Sequence, residues 1–245
     1  MDERFRHALD LFASRMRRNP RVIGIIATGS VDHSKPDKNS DLDVFVLLDK
    51  SKTRERGNTW IDGVEVEYFL NPVNQVRHEF KEERASNSAA TAYMFAKGIV
   101  IFSKSKIVDA LVKEAKSILN TKPKAISAVQ RENGKYYIDD DKKDLEDMYL
   151  KKDSFAFHRA ANSLLDECLK FFYACKRVRQ TKNKRLEAHL KSIDPRFARL
   201  FIRATTVSAM TEKYRAVNKV AEYVEKLLGG ARSKEWKLRG PLSVK

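Results

Sequence analysis

Hydrophobic positions in the first part of the chain change spacing several times, and these changes predict a mixed fold. Residues 3–18 place apolar side chains at helical intervals. Two apolar runs follow, at 22–27 and 44–48, and we interpret each as a strand. Residues 64–70 begin with valine alternating with glutamate at 64–67, which is typical of a strand with two different faces. We therefore expect a helix followed by strands.

Turn and cap residues place the boundaries of these elements. Asp62-Gly63 is the strongest short signal for a hairpin with a type I′ turn, so the strand at 64–70 should be one hairpin arm. The charged stretch 51–57 is interpreted as a loop. Asn71-Pro72 predicts a helix start, with Asn71 as the N-cap and Pro72 as the first helical residue. This helix is expected to run from Pro72 to about Glu83, and further helices are expected at 88–97 and 107–119, with a short strand at 99–102.

From Thr121 onward no strand pattern is visible. Helical spacing predicts helices at 124–133, 136–151, 154–179, 185–192, 196–208 and 211–228, and Gly229-Gly230 predicts the last stop. The chain is therefore expected to be α+β, with a small mixed-sheet domain at 1–120 followed by an all-α helical bundle at 121–245.

Charge is distributed unevenly along the chain. The net charge is +16, with 49 Lys and Arg against 33 Asp and Glu. Residues 1–120 hold 20 of these cations and 17 of the acids, whereas residues 121–245 hold 29 and 16. A basic half suits polyanionic partners, such as a nucleoside triphosphate or nucleic acid. A solvated helical surface is the alternative explanation for most of these lysines.

Cysteine content and hydropathy point to a cytoplasmic protein without a structural metal. Cys168 and Cys175 lie seven positions apart in a helical stretch, and we interpret them as reduced core residues. No stretch has the length and hydropathy of a membrane span. The N-terminus predicts an amphipathic helix rather than a signal peptide. No membrane partner is expected.

Candidate chemistry is concentrated where the first apolar run ends and the second begins. Thr28-Gly29-Ser30 follows the first run, and Asp41 and Asp43 open the second. Because side chains alternate along a strand, both aspartates should point to one face. Such a pair repels itself unless a cation lies between, and Mg²⁺ is the oxygen-seeking ion for that role. Gly29 permits close backbone approach, and Ser30 could begin a phosphate-binding helix N-terminus.

These residues resemble the signature of the DNA polymerase beta-type nucleotidyltransferase superfamily. Gly29-Ser30 is separated by ten residues from Asp41-Leu42-Asp43-Val44, and the small bacterial antibiotic nucleotidyltransferases of the kanamycin and lincosamide type look most similar. The resemblance implies a third acidic residue on a neighbouring strand, and Glu67 fits that position best. Glu65 lies two residues away on the same face and stays open as the alternative. Solvated acidic residues on an exposed sheet face are the competing interpretation.

The resemblance also implies a reaction and its cofactors. An acceptor hydroxyl would attack the α-phosphorus of a nucleoside triphosphate, with ATP expected, and pyrophosphate would leave. Two Mg²⁺ ions are expected on Asp41 and Asp43, with Glu67 binding the metal near the acceptor or taking its proton. Gly29, Ser30, Ser40 and Lys184 are the expected nucleotide contacts, and an exposed lysine is the alternative interpretation of Lys184.

The predicted bundle contains a second acidic cluster, at 139–147. Asp140 and Asp144 share a helix face and could act as a base or an acceptor contact, as a bundle carboxylate does in the resembled family. A favourable interaction with a helix dipole is the alternative explanation. Tyr137 could stack on a ring or pack in a core. The acceptor is expected to be a hydroxylated small molecule such as an antibiotic. Transfer to RNA or protein, and a non-catalytic nucleotide-binding regulator, remain open.

Overall fold

The computed structural model describes residues 2–29 and 40–239. The chain divides into two compact units, Met1–Lys122 and Pro123–Lys245. The first unit contains a five-stranded mixed sheet with four helices, and the second is helical over its described residues. The α+β prediction is confirmed. Among the described residues, no helix is long and apolar enough to cross a membrane.

The described residues of the first unit form helices and strands, with four consecutive strands after the first helix. Its elements are α1 (Glu3–Arg17), β1 (Val22–Gly29), β2 (Leu42–Leu48), β3 (Glu55–Ile61), β4 (Val64–Pro72), α2 (Val73–Ala85), α3 (Ala90–Lys97), β5 (Ile99–Ser103) and α4 (Lys106–Asn120). The strand order across the sheet is β3-β4-β2-β1-β5. Strands β2 and β4 are parallel, and the other neighbouring pairs are antiparallel.

Each face of the sheet has its own apolar core. Helix α1 covers one face through Phe5, Leu9 and Phe12, which pack with alternate residues of β1, β2 and β4. Helices α2, α3 and α4 cover the opposite face, where Phe45 packs edge-on against Phe95 at a ring distance of 4.7 Å. Both faces of the central strand β2 are therefore buried along most of its length, which explains its continuous apolar sequence.

The hairpin prediction is confirmed, but the loop prediction beside it is wrong in part. Asp62 and Gly63 both have positive φ, at 49° and 76°, as a type I′ turn requires. Strand β3 begins at Glu55, inside the stretch predicted to be a loop. Gly57 interrupts the strand pattern because Tyr68 fills the space of its missing side chain, with the Tyr68 hydroxyl oxygen 2.6 Å from an ideal Cβ.

The predicted start of α2 is also wrong, by one residue. Asn71 and Pro72 belong to β4, where they pair in register with Leu47 and Leu48 of β2. Pro72 is the N-cap of α2, without a side-chain cap, and Val73 is the first helical residue. Sheet pairing at 71 and 72 therefore overrides the local capping preference.

The second unit comprises α5 (Ala128–Leu150), α6 (Ser154–Lys176), a 3₁₀ turn (Asn183–Arg185), α7 (Leu186–Ile193), α8 (Pro195–Thr206) and α9 (Met210–Leu227). Its core combines aliphatic and aromatic side chains, with Phe172 and Phe197 stacked at a ring distance of 3.7 Å. Helix α5 is continuous where the pattern predicted two helices. Its Gly134 is accommodated because the Phe171 ring packs 2.8 Å from the position of an ideal Cβ.

Candidate active site

Two neighbouring parallel strands position the predicted carboxylates. Asp41 directly precedes β2, Asp43 is its second residue, and Glu67 lies in β4. Asp43 and Glu67 are register partners across the parallel pair, so their side chains leave the same face of the sheet. On the other side of β2, Thr28 of β1 is the register partner of Asp43. The strands therefore form one row of residues on this face, Asn58, Glu67, Asp43 and Thr28.

The three carboxylates converge at the edge of a buried core. Asp41, Asp43 and Glu67 each offer an oxygen within 4.8 Å of the other two, and all three residues are half-buried. Further along the same face, Phe45 and Phe69 pack beneath α2 and α3. The polar row therefore begins where the helical cover ends.

Three carboxylates this close repel one another unless cations reduce the charge. Hard oxygen ligands of this kind suit Mg²⁺, which binds carboxylates together with water and phosphate oxygens. The donor set therefore fits a divalent cation. Asp41, Asp43 and Glu67 are the residues that would hold it.

One arginine already interacts with this cluster. Arg56 of β3 donates from Nε to Glu67 Oε1 at 2.8 Å, and its Nη2 lies 2.6 Å from the same oxygen. The Arg56 guanidinium also lies over the Phe69 ring, at 5.0 Å from the centroid. The ion pair orients the Glu67 carboxylate and offsets part of the local negative charge. The sequence-based prediction missed Arg56, which lies in the stretch interpreted as a loop.

The structure separates the two glutamates that the sequence left as alternatives. Glu65 accepts a hydrogen bond from Asn58 Nδ2 and does not belong to the three-carboxylate cluster. Its register partner is Trp60, whose ring is 65% exposed on the same face. Geometry therefore brings Glu67, rather than Glu65, to the aspartates.

Comparison with known proteins found a family model that matches part of this chain. Residues 9–108 match the model of the nucleotidyltransferase domain. A solved nucleotidyltransferase-like protein from Exiguobacterium sibiricum has a similar fold, with a TM-score of 0.56 and 12% sequence identity. The similarity covers 91% of this chain and 76% of that one. No curated protein matches the sequence significantly.

The domain match indicates nucleotidyl transfer, and the solved structure shows a similar fold. The carboxylate cluster lies inside the matched residues and fits metal-dependent nucleotidyl transfer. These findings support the superfamily resemblance.

The predicted phosphate-binding segment is described only at its two ends. Gly29 is the last residue of β1 and pairs with Leu42, next to the two aspartates. Ser40 is half-buried and directly precedes Asp41. Ser30 lies outside the described residues. The two ends of the segment therefore lie next to the three-carboxylate cluster.

The other predicted site residues belong to the second unit. Asp140, Asp144 and Lys184 are exposed there, the first two on α5 and the lysine in the 3₁₀ turn. Tyr137 is 45% exposed, and Lys170 Nζ lies 5.9 Å from its ring centroid. Their positions leave all four side chains available to a ligand, and their roles remain predictions.

A different aspartate of α5 has a raised pKa. Asp141 is half-buried, and burial, followed by the charges of Glu167, Asp144 and Asp140, raises its pKa to about 6. Helical spacing places Asp141 on the inner side of α5. The sequence does not distinguish it from the other acidic residues of 139–147. Knowledge of which helix packs against α5 would have been needed to identify it.

Proposed function

We propose that the protein transfers a nucleoside monophosphate, with AMP expected, from a nucleoside triphosphate to a hydroxyl group of a small-molecule acceptor. The observation that carries this proposal is the convergence of Asp41, Asp43 and Glu67 in a nucleotidyltransferase domain. Antibiotics with free hydroxyl groups are the first acceptor class to test, because the sequence resembles the kanamycin- and lincosamide-type enzymes. An expected location in the cytoplasm belongs to the same proposal.

In the proposed reaction, the acceptor oxygen forms a bond to the α-phosphorus as the bond from that phosphorus to the β-bridging oxygen breaks. Pyrophosphate leaves with the bonding electron pair. The divalent cations, two Mg²⁺ in this proposal, supply charge neutralisation when bound to Asp41, Asp43 and Glu67. The acceptor proton passes to the Glu67 carboxylate, which Arg56 orients through Oε1.

The remaining residues position the two substrates. Gly29 lets phosphate groups approach the end of β1 because no Cβ stands there. Ser30, Ser40 and Lys184 are proposed to contact the nucleotide. Asp140, Asp144 and Tyr137 are the proposed acceptor contacts of the second unit. Little covalent chemistry is asked of these residues, so their contribution is orientation and charge.

A substrate screen tests the proposal. The purified full-length protein would be incubated with Mg²⁺ and each of the four labelled ribonucleoside triphosphates, against a panel of aminoglycosides, lincosamides and RNA. The proposal expects pyrophosphate release and a labelled small-molecule product, both abolished by EDTA. A labelled RNA product would instead identify a nucleic-acid acceptor. Nucleotide binding without pyrophosphate release across the panel would contradict the proposal.

A further inference from the structure

A groove runs between α8 and α9 of the second unit, far along the chain from the nucleotidyltransferase domain. It comprises two cavities, of about 390 Å³ and 250 Å³, that share Leu200 and Lys219 in their linings. Its apolar floor is formed by Leu200, Ala216 and Leu227. The two cavities therefore follow one continuous helix pair.

The lining of this groove is strongly cationic. Five exposed cations line it: Arg196, Arg203, Arg215, Lys219 and Lys226. Two carboxylates, Glu212 and Glu222, accompany them. Within residues 40–239, no ion pair with an acidic side chain involves any of the five cations. By contrast, Lys176 and Lys142 of the same unit are paired with Asp194 and Glu225.

Helical spacing arranges these cations as two ridges. Arg196 and Arg203 are seven residues apart on α8, and so are Lys219 and Lys226 on α9. At 1.5 Å per residue, each of these pairs spans about 10 Å along its helix axis. Packed helix axes lie about 8–10 Å apart, so the groove between the ridges is narrow. Its width suits a single sugar-phosphate strand and excludes a duplex from the floor.

We propose that the α8–α9 groove binds a single strand of RNA through its phosphate backbone. Unpaired arginines and lysines on both ridges match a polyanion of regular spacing. The two carboxylates would repel phosphates, but they can accept hydrogen bonds from ribose 2′-hydroxyl groups, which DNA lacks. The half-buried Tyr223 ring lies in the lining, with the Arg196 guanidinium over it at 5.8 Å from the centroid. The proposal does not depend on the transferase activity.

The direct test is a salt titration of RNA binding by the full-length protein. A fluorescein-labelled, unstructured 16-nucleotide RNA would be titrated by anisotropy, without nucleoside triphosphate or divalent cation. Five phosphate contacts predict a log-log salt slope of about −3.5, which weakens binding on the order of a hundredfold between 50 and 200 mM salt. The triple variant Arg203→Gln, Arg215→Gln, Lys219→Gln should reduce the slope to about −1.4. Its RNA binding should then weaken only about sevenfold over the same range of salt.

A matched triple variant controls for net charge. Arg159→Gln, Lys234→Gln, Lys237→Gln removes the same charge from exposed positions that do not line the groove. This variant should keep the wild-type slope. An equal effect of both triple variants would overturn the groove assignment, as would absence of RNA binding by the wild-type protein.

A DNA strand of the same sequence tests the choice of nucleic acid. The proposal expects weaker binding of DNA, and expects Glu222→Ala to reduce the preference for RNA. Equal affinity for both strands would overturn the assignment to RNA and indicate a site for any single strand. Tighter binding of a duplex than of either single strand would contradict the proposed fit to the groove.

Discussion

Two acidic clusters of the protein differ in how the fold places their side chains, which converge in the first unit and are spread around a helix in the second. In the first unit, parallel pairing of β2 and β4 draws Asp41, Asp43 and Glu67 to within 4.8 Å of one another. In the second unit, α5 distributes the acidic residues of 139–147 around a helix. Asp139 interacts with Lys143 and Arg232, while Asp140 and Asp144 face solvent. Paired strands therefore bring acidic side chains together on one face, whereas a helix distributes successive acidic side chains around its axis.

The largest expected difference between the clusters is in catalysis. Asp43→Asn should reduce pyrophosphate release on the order of 10³-fold, because it removes a carboxylate that stabilises charge in the transition state. Asp147→Asn, at an exposed α5 position that pairs loosely with Lys151 at 3.9 Å, should leave the rate nearly unchanged. Steady-state assays of both variants test this difference, with circular dichroism to verify folding. Similar rates for the two variants would remove the distinction between the clusters.

A smaller effect should separate the two glutamates of β4. Glu67→Gln is expected to lower the turnover rate on the order of 10²-fold, because it removes the third converging carboxylate and the proposed proton acceptor. Glu65→Gln keeps a side chain able to accept from Asn58 and should change the rate by less than about threefold. The same assay, run at several Mg²⁺ concentrations, compares them. A greater loss in the Glu65 variant would reassign the third carboxylate.

The smallest expected effect concerns the stability of the second unit. Asp141 retains its proton in the folded protein up to a pKa of about 6, above the ordinary value of 3.8, because burial and neighbouring acids disfavour its charge. The folded state therefore binds more protons between these values, and stability contributed by the protonated form is lost as pH rises from about 4 to about 6. Asp141→Asn should remove this loss. With allowance for solvent screening, the variant should gain about 1 kcal/mol in the free energy of unfolding above pH 6.

Urea denaturation of the full-length protein at pH 4.5 and pH 7.5 measures this gain. The variant should be more stable than the wild type at pH 7.5, and this difference should be much smaller at pH 4.5, where most of the loss has not yet occurred. Asp147→Asn, on the exposed side of the same helix, should follow the wild-type profile at both values. If the stability of the wild type and of Asp141→Asn changed with pH in the same way, ionisation of Asp141 would not destabilise the folded state.

Most elements of the fold could be predicted from local pattern. The Asp62-Gly63 turn defines the register of β3 against β4, because pairing is counted outward from a two-residue loop. The same count places Arg56 beside Phe69 and therefore next to Glu67. The Arg56 contact was missed because Gly57 and the charged residues before it resemble a loop. Only the tertiary contact with Tyr68 explains why a strand continues through that glycine.

The residues of the second unit were harder to interpret. Helical spacing identified its helices, but the pattern gave no partner for each helix face. The sequence therefore singled out Asp140 and Asp144, while burial singles out Asp141. The groove between α8 and α9 was equally hidden, since its cations are interleaved with apolar core residues in both helices. Contacts between helices that are distant in sequence determine which of these side chains are buried and which line the groove.

Metal binding measured without substrate tests the central claim most directly. Titration of the full-length protein with Mn²⁺, followed by electron paramagnetic resonance of the free ion, would report binding independently of turnover. The three-carboxylate site predicts Mn²⁺ binding that Mg²⁺ competes away, that Asp43→Asn largely abolishes and that Asp147→Asn leaves intact. Equal Mn²⁺ binding by the wild type and Asp43→Asn would contradict the claim that Asp41, Asp43 and Glu67 form the metal site.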